Sequence, residues 1–322
     1  MAYSDLHDRL LQCRYHGIAE STRRTYQSGL KKFESFCGQH AFTPAPASSL
    51  TLQYFCAYES QSVSHKTIKV YLAAICLHHI ENNMLDPTDD NLLHLVCRGI
   101  RRPQGDSQRT RLPITINLMR TIKEQLRQSS YTLQEQRMLW AAFTMAFYGF
   151  FRVSELINFC WSDVSFSLDH ISVSLHQSKT DPFRHGCTVK IFKTNSSACP
   201  HHAIDRYRKM SGDVTPSAPL YQAGRFHPLS RAAVTNTLRQ LLKQTGIDHP
   251  HYPSHSFRIG VATTAAAAGL PAWLIKSLGR WTSNAYLTYI HQQPALTSKI
   301  YKLLSHTDAS SQPIWEPDSQ AT

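Results

Sequence analysis

Apolar residues recur at helical spacing through the first hundred positions of the chain. In the first such segment Tyr26, Leu30 and Phe33 fall on one face of a helix, with basic side chains among the polar positions. An apolar stripe of this width has to be buried against neighbouring elements. The pattern predicts three packed helices, over residues 21–37, 64–80 and 92–100.

A polar stretch without periodicity, PQGDSQRTR at residues 103–111, follows these helices. Its Pro, Gly and polar residues are typical of a linker. With 322 residues the chain is long enough for two domains, each with its own core. We therefore expect a helical domain at 1–105, a linker at 106–111, a second domain at 112–305 and a disordered polar tail at 306–322.

The second domain has a mixed pattern. Alternating apolar and polar residues predict two strands, His170–His176 and Cys187–Phe192. The expected fold class is therefore mainly α with a small β-sheet, an α+β protein. Helical periodicity predicts helices over residues 115–128 and 133–148, from Ser154, and over 231–245, 258–268 and 271–278.

The charge balance favours a polyanion as partner. The chain carries 34 Lys and Arg against 22 Asp and Glu, a formal charge of +12. Counted by region, residues 1–112 give 13 − 10 = +3 and residues 113–322 give 21 − 12 = +9. A basic surface collects nucleic acid by displacing its counterions. The sequence contains no uninterrupted run of about 20 apolar residues, the length that a membrane-spanning helix requires.

The cysteines and histidines predict neither a metal site nor a disulfide framework. The eight cysteines are dispersed and form no C-x-x-C pair, so most are expected to be small core residues. The clusters Cys199–His202 and His249–His251 lack the paired spacing of zinc ligands. We therefore expect no metal and no cofactor.

Polar residues in otherwise apolar surroundings are the candidates for chemistry. Arg152 follows the mostly apolar run 146–151, where a guanidinium is costly unless it meets an anion. Glu155 lies one helical turn further on, within reach of Arg152. A buried ion pair without function explains these two residues equally well when they are taken alone.

Further candidates lie later in the chain. His255 and Arg258 stand three apart at the start of an alanine-rich helix, where charge and helix dipole both favour an anion. Lys179 lies in a turn-like stretch between the two predicted strands, and Tyr289 follows downstream. Each residue has an ordinary structural explanation, whereas two arginines, a histidine and a tyrosine together favour phosphate chemistry.

Several segments resemble a known family. The stretches GFFRVSEL (149–156) and HSFRIGVATTAAAAGLPAWLIKSLGRWTSNAYLTYI (255–290) are similar to the signature motifs of tyrosine recombinases, the phage integrase family. The stretches STRRTY (21–26) and TIKVYLAAI (67–75) resemble its helical, SAM-like core-binding domain. The resemblance is closest to the recombinases of eukaryotic mobile elements of the DIRS-like or Crypton kind.

By this resemblance the second domain is a catalytic domain that cuts and rejoins DNA. Arg152 and Arg258 would clamp the nonbridging oxygens of the scissile phosphate, where arginine forks match the developing charge. Tyr289 would attack phosphorus, leaving a 3′-phosphotyrosine and a free 5′ hydroxyl. The supporting residues would be Glu155 beside the first arginine, His255 as hydrogen-bond or proton-transfer partner, Lys179 as general acid and Trp281 at the family's His-or-Trp position.

Two of these assignments have alternatives. Tyr286 and Tyr289 lie three apart on one helical face, and the Tyr-Ile ending favours Tyr289 as nucleophile. The family usually has nine residues from the His-or-Trp position to the nucleophile. Trp281 stands eight residues before Tyr289 and Arg280 stands nine before it.

The resemblance also implies partners and a location. Double-stranded DNA would be the substrate and a homotetramer would form the synaptic complex, without ATP or a metal because the covalent link conserves the bond energy. The location would be nuclear in a eukaryote and cytoplasmic otherwise. Basic residues of the first domain expected to contact DNA, although a solvated face explains them too, are Arg23, Arg24, Lys31, Lys66, Lys69, Arg101 and Arg102.

Two rival functions share parts of this pattern. A domesticated DNA-binding protein would keep the fold and the charge without cleavage, and a type IB topoisomerase would rejoin the same strand. Strand exchange between two duplexes separates a recombinase from a topoisomerase, which relaxes supercoils as a lone subunit. The residues that speak against a mere binding protein are Arg152, Lys179, His255, Arg258 and Tyr289.

Overall fold

The computed structural model describes residues 3–105, 111–176 and 185–289, with the backbone alone at Ala285, Thr288 and Tyr289. By its internal contacts the chain divides into two compact units, Met1–Gln108 and Arg109–Thr322. In the described residues the first unit is helical, and the second combines helices with one small sheet. The expected fold class, mainly α with a small β-sheet, is confirmed. None of the described helices combines the length and apolar character needed to cross a membrane.

The described part of the first unit has five helices. They are α1 (Tyr3–His16), α2 (Glu20–His40), α3 (Ser49–Glu59), α4 (His65–Glu81) and α5 (Asn91–Gln104). The three predicted helices are confirmed as α2, α4 and α5. Side chains of Ser48, Ser64 and Asp90 accept backbone N–H groups at the starts of α3, α4 and α5, which satisfies donors that a helix start otherwise leaves unpaired.

Helices α1 and α3 are not predicted from the sequence, for different physical reasons. In α3 Leu52 and Phe55 are buried while Tyr54 and Tyr58 are exposed, so apolar residues occupy several faces and obscure the helical period. In α1 no residue is buried. Its apolar residues, such as Tyr3, Leu6 and Leu10, recur at helical spacing but remain exposed, so no core contact accompanies this helix.

An aromatic cluster forms the core of the first unit. The rings of Phe33 and Phe55 meet edge to face with their centroids 5.1 Å apart, and Phe36 lies 5.3 Å from Phe55. Gly29 permits α2 and α4 to approach each other, because a Cβ at this position would lie 2.9 Å from the ring of Tyr71. The predicted apolar faces of α2 and α4 therefore pack against each other.

Helix α5 extends further than the composition of the sequence indicates. The predicted helix ends at residue 100 and the polar stretch begins at 103, but α5 continues through Pro103 to Gln104, within the predicted first domain. The side chain of Gln104 accepts the backbone N–H of His65 at 2.7 Å and donates to the carbonyls of Ser60 and Val63 at 3.0 and 3.1 Å. These distant contacts hold the last turn of the helix in place. Residues 106–110 of the predicted linker and the predicted tail at 306–322 lie outside the described residues.

The second unit contains seven described α-helices. The helix predicted from Ser154 is the single turn α8, and α9 is not predicted, whereas the other predicted helices are confirmed. In chain order they are α6 (Ile116–Gln128), α7 (Leu133–Tyr148), α8 (Val153–Leu156), α9 (Pro200–Ser211), α10 (Arg231–Lys243), α11 (Ser256–Ala267) and α12 (Ala272–Leu278).

A three-stranded antiparallel sheet accompanies these helices. Its strands are β1 (Val164–Phe166), β2 (His170–Leu175) and β3 (Cys187–Phe192), in the order β1-β2-β3. Val164 pairs with Val173 and Ile171 with Ile191. Both predicted strands are confirmed, with β2 ending one residue before His176. Strand β1 has three residues, too few to show alternation in the sequence.

Helix α7 lies at the centre of the second unit's core. Its start is fixed by a capping box, in which Thr132 Oγ1 accepts the N–H of Glu135 at 3.3 Å and the Glu135 carboxylate accepts the N–H of Thr132 at 2.9 Å. Further along α7 the ring of Phe143 stacks on Phe257 of α11, with centroids 5.2 Å apart. The end of α7 and the start of α11 are thereby brought together.

Helix α11 also passes very close to the chain before α6. The N–H of Ile114 donates to the carbonyl of Ser256 at 3.1 Å. A Cβ added at Gly260 would lie 1.9 Å from the carbonyl oxygen of Ile114. This neighbour is backbone, which cannot turn aside as a flexible side chain does, so only glycine fits at position 260.

We expect Gly260→Ala to destabilise the second unit by about 1–3 kcal/mol, the usual cost of overpacking a core. Gly38→Ala in α2 is the matched control, because Gly38 is exposed and a Cβ there meets no heavy atom within 4 Å. That change should be neutral or stabilise by up to about 1 kcal/mol. Denaturant unfolding of both variants provides the measurement, and equal effects would contradict the steric explanation.

Candidate active site

The loop of residues 149–152, between α7 and α8, presents the first candidate arginine. Nη1 of Arg152 lies 2.6 Å from Oε1 of Glu155, and Oε2 of that carboxylate accepts the backbone N–H of Arg152 at 2.9 Å. The side chains of Arg152 and Glu155 are 16% and 3% exposed. The contact that the spacing predicts between them is confirmed, and it places an ion pair largely out of solvent.

Arg258 lies in the first turn of α11 and is 1% exposed. Its Nη1 donates to the carbonyl of Phe150 at 2.9 Å, and its Nη2 donates to the carbonyl of Gly279. The ring of Trp281 covers the guanidinium, with Cζ 4.4 Å from the ring centroid. The orientation of Arg258 is therefore set by groups that are far from it in the sequence.

The carbonyl of Phe150 is shared by two arginines. It accepts Nη1 of Arg258 at 2.9 Å and Nη2 of Arg280 at 3.2 Å. Phe150 and Arg280 have φ angles of +52° and +55°, in the left-handed region. This conformation costs a non-glycine residue on the order of 1–3 kcal/mol. The hydrogen bonds around the shared carbonyl help to offset this cost.

Arg280 is the site residue to which sequence reasoning gave least weight. Its Nη1 lies 3.2 Å from the carbonyl of Gly149 and 3.4 Å from that of Leu278, and its Nη2 lies 3.3 Å from Oε2 of Glu155. Burial lowers the pKa of Arg280, and the Glu155 carboxylate opposes this shift. The signal in the sequence was its spacing, nine residues before Tyr289.

His255 stands at the start of α11, inside a group of arginines. Burial lowers the pKa of His255 to about 4, so its imidazole is neutral at neutral pH. The arginines whose charges lower this pKa further are Arg258, Arg111, Arg152 and Arg231. Arg111 and Arg231 are not among the predicted site residues, because exposed arginines in polar stretches resemble any solvated charge.

Trp281 packs within the core of the second unit. Its ring meets Phe150 edge to face with centroids 6.1 Å apart and lies 5.9 Å from the ring of Tyr286. Trp281 is 9% exposed, and a Cβ at Gly279 would lie 1.7 Å from its ring. Trp281 is therefore a core residue of the second unit that also contacts Arg258.

The two candidate tyrosines differ in what the structure describes. Tyr286 is 6% exposed and belongs to the core around Trp281. Tyr289 ends the short 3-10 helix Asn284–Tyr289, and its side chain lies outside the described part of the chain. Lys179 falls within residues 177–184, between β2 and β3, which also lie outside the described residues.

Comparison with known proteins decides the family. The model of the phage integrase family matches residues 115–295, which is more than half of the chain and includes Arg152, Arg258 and Arg280. The chain belongs to the phage integrase family. It is a tyrosine recombinase by family, and it is 24% identical over 284 residues to an integrase/recombinase XerD homologue of Selenomonas ruminantium. That alignment covers 85% of this chain and 82% of the relative.

Solved structures share the fold of this integrase-family chain. The XerH site-specific recombinase bound to palindromic difH substrate matches with a TM-score of 0.64 and 12% identity, over 88% of this chain and 79% of that one. The Tn1549 transposon integrase in complex with transposon right end DNA matches with a TM-score of 0.63 and 13% identity, over 94% and 99%. At these identities the likeness establishes the fold.

The basic residues of the first unit separate into two kinds. Arg23 contacts Glu81 at 3.0 Å and donates to the carbonyls of Tyr15 and Arg14 at 2.9 and 3.1 Å, with 16% of its side chain exposed. Arg23 therefore links α1, α2 and α4. The other predicted DNA-contacting residues are exposed, and two of them line a cavity of about 570 Å³ that includes parts of α4 and α5. These exposed residues are Arg24, Lys31, Lys66, Lys69, Arg101 and Arg102, with Lys69 and Arg101 lining the cavity.

The cysteines of this integrase-family chain are all free thiols. Three of them, Cys37, Cys56 and Cys199, are buried, so the expectation that most cysteines are core residues is wrong. The remainder lie partly or fully exposed, where a small side chain is tolerated without packing. Among the described residues no three His, Cys, Asp or Glu side chains come together as metal ligands would.

We expect His255 to remain uncharged until the pH approaches 4. The folded-state pKa of about 4 lies below the ordinary 6.5, so the folded protein binds fewer protons than the unfolded chain between these values. The stability that neutral His255 contributes is complete above pH 6.5 and is lost as the pH falls toward 4. NMR titration of the imidazole signals, with His255→Gln to assign the resonance, measures this pKa. A midpoint near the ordinary value would contradict the proposed burial among arginines.

Proposed function

We propose that this phage integrase family member is a site-specific DNA recombinase that cleaves and rejoins strands through a 3′-phosphotyrosine intermediate, with Tyr289 as nucleophile. The observation that carries the proposal is the convergence of Arg152, Arg258 and neutral His255 around the 149–152 loop. A phosphodiester is an anion whose nonbridging oxygens gain charge in the transition state, and such a cluster stabilises that charge. The fold is shared with a recombinase and an integrase solved in complex with DNA.

The proposed reaction is a pair of transesterifications. The Tyr289 oxygen forms a bond to phosphorus as the bond to the 5′ oxygen breaks, and Lys179 supplies the proton that the leaving 5′ oxygen takes up. Neutral His255 hydrogen-bonds the phosphate or assists transfer of the tyrosine proton. The 5′ hydroxyl of a partner duplex then attacks the phosphotyrosine and releases Tyr289, so the phosphodiester count is conserved.

The two arginines are proposed to hold the nonbridging oxygens. Arg152 is anchored by Glu155, and Arg258 is anchored by the carbonyls of Phe150 and Gly279. A guanidinium carries five N–H donors, so carbonyl anchoring and donation to a phosphate oxygen are compatible. Anchoring before DNA arrives is the preorganisation that transition-state stabilisation requires.

The burial of Tyr286 supports Tyr289 as the nucleophile. Tyr286 is 6% exposed and packs against Trp281. Packing against Trp281 gives Tyr286 a structural role in the core, and the Tyr-Ile ending of the motif favours Tyr289 as nucleophile.

The proposed partner is double-stranded DNA, bound by both units. The first unit would serve as the core-binding domain and the second as the catalytic domain. Recombination between two duplexes breaks four strands, which calls for a homotetramer with four active sites. The formal charge of +12 supports a phosphate partner.

We further propose that the chain comes from a eukaryotic mobile element of the DIRS-like or Crypton kind and acts in the nucleus. The similarity of GFFRVSEL (149–156) and GRWTSNAYLTYI (279–290) to the motifs of those recombinases supports this source. Integration or excision of the element would be the outcome of strand exchange.

The test of the proposal is the capture of the covalent intermediate. Wild type, Tyr289→Phe and Tyr286→Phe are incubated with a nicked suicide duplex that carries the ends of the element. Wild type and Tyr286→Phe should form a denaturant-resistant protein–DNA adduct, and Tyr289→Phe should form none because it lacks the attacking oxygen. Loss of the adduct in Tyr286→Phe with retention in Tyr289→Phe would reverse the assignment.

Two further outcomes of this assay test the reaction class. Tight binding without any wild-type adduct would indicate a domesticated binding protein. Relaxation of supercoils by a lone subunit, without exchange between two duplexes, would indicate a type IB topoisomerase. Exchange of strands between two labelled duplexes is the result expected of a recombinase.

Neighbouring arginines of α2 should respond differently to truncation. Arg24 is exposed and lies 4.0 Å from Glu20, so Arg24→Ala should weaken DNA binding and reduce the slope of binding against salt by about one phosphate contact. Arg23→Ala should instead lower the free energy of unfolding by roughly 1–3 kcal/mol, because hydrogen bonds from a charged group are lost. Salt titration of binding and denaturant unfolding of both variants give the comparison. If Arg24→Ala lowered the free energy of unfolding and Arg23→Ala weakened DNA binding instead, the roles assigned to these two arginines would be contradicted.

A further inference from the structure

We infer that Arg280 is a positioning residue, which holds Glu155 and the 149–152 loop so that Arg152 and Arg258 keep their places in the site. This inference rests on the proposed function, because that proposal assigns Arg152 and Arg258 to the scissile phosphate. Arg280 itself is assigned no contact with the reacting atoms.

A single nitrogen of Arg280 connects the partners of both arginines. Its Nη2 lies 3.3 Å from Oε2 of Glu155 and 3.2 Å from the carbonyl of Phe150. The other oxygen of Glu155 accepts Arg152 at 2.6 Å, and the same Phe150 carbonyl accepts Arg258 at 2.9 Å. Loss of Arg280 therefore acts on the anchors of Arg152 and Arg258 together.

The second terminal nitrogen ties the ends of two helices together. Nη1 of Arg280 lies 3.2 Å from the carbonyl of Gly149, after α7, and 3.4 Å from that of Leu278 in α12. The guanidinium is planar and presents its donors in a rigid fork. It can therefore serve acceptors on both sides at once, which the single ammonium of a lysine cannot do in the same geometry.

Backbone conformation brings Phe150 and Arg280 into this arrangement. Among the described non-glycine residues, four have positive φ: Ala41, Asn83, Phe150 and Arg280. All four follow the end of a helix, where left-handed residues commonly occur. Phe150 and Arg280 follow α7 and α12, and Nη2 of Arg280 donates a hydrogen bond to the Phe150 carbonyl. This hydrogen bond therefore ties two helix ends to each other at the site.

The charge of Arg280 is compensated within the protein. Its side chain is 15% exposed, and its Cζ lies 5.2 Å from the ring centroid of Phe151. The Glu155 carboxylate opposes the lowering of its pKa by burial. The adjacent Trp281 covers Arg258 instead. Positions 280 and 281 thus support different parts of the same site.

The inference predicts that Arg280 and Glu155 act as one unit. The rate of adduct formation on the nicked suicide duplex is measured for wild type, Arg280→Gln, Glu155→Gln and the double variant. Arg280→Gln should slow the wild type roughly 10- to 100-fold, the effect of misplacing catalytic groups by about an ångström, with affinity for the duplex unchanged. In the Glu155→Gln background the same change should cost at least about tenfold less, a coupling of about 1.4 kcal/mol.

Equal losses in both backgrounds would overturn the inference, because Arg280 would then act independently of Glu155. If Arg280→Gln does not fold, Arg280→Lys replaces it in the same cycle. The lysine keeps the charge but lacks the fork, so it should also be slow and coupled to Glu155. A wild-type rate in Arg280→Lys would contradict the bridging role.

The matched control is the exposed pair of Arg127 and Glu124, which has the same residue types at 3.2 Å with side chains 71% and 51% exposed. Arg127→Gln and Glu124→Gln, alone or together, should leave the rate unchanged. Absence of an adduct from wild type rejects the proposed function. If wild type forms the adduct but the effects of Arg280→Gln and Glu155→Gln on its rate are additive, only the positioning role is rejected.

Discussion

The rest of the candidate active site depends on the contacts that the buried carboxylate of Glu155 makes with two arginines. A guanidinium is costly to bury unless an anion or several acceptors meet it. Glu155 meets Arg152 with one oxygen and Arg280 with the other, and the carbonyls of Phe150 and Gly279 meet Arg258. The site thus holds three arginines and one carboxylate, so it keeps an excess of positive charge, which suits a phosphodiester.

Burial, reinforced by nearby positive charge, explains the state of the histidine. Burial and the surrounding arginines both disfavour a protonated imidazole, so His255 is neutral at neutral pH. The fold produces this environment by bringing two ends together. The capped and buried helix α7 delivers the 149–152 loop, and α11, held against Ile114 at Gly260, delivers His255 and Arg258.

Charge in the first unit shows why composition alone is a weak guide to an interface. Arg23 and Arg24 are neighbours in sequence, yet Arg23 links three helices and Arg24 is exposed. Membership of the phage integrase family is established by the match over residues 115–295. Whether a basic side chain is available to a partner depends on its packing, which varies from one residue to the next.

Local signals in the sequence determined most of the helices, both long strands and the contact between Arg152 and Glu155, because each depends on residues a few positions apart. Tertiary structure decided the rest. The end of α5 depends on contacts that Gln104 makes across about 40 residues of the chain. Helix α3 shows no clear helical period in its sequence, because apolar residues occupy both its buried and its exposed faces. The orientations of Arg258 and Arg280 depend on carbonyls 108 and 130 residues away. No local pattern encodes such pairs, since they exist only once the helices that carry them have packed.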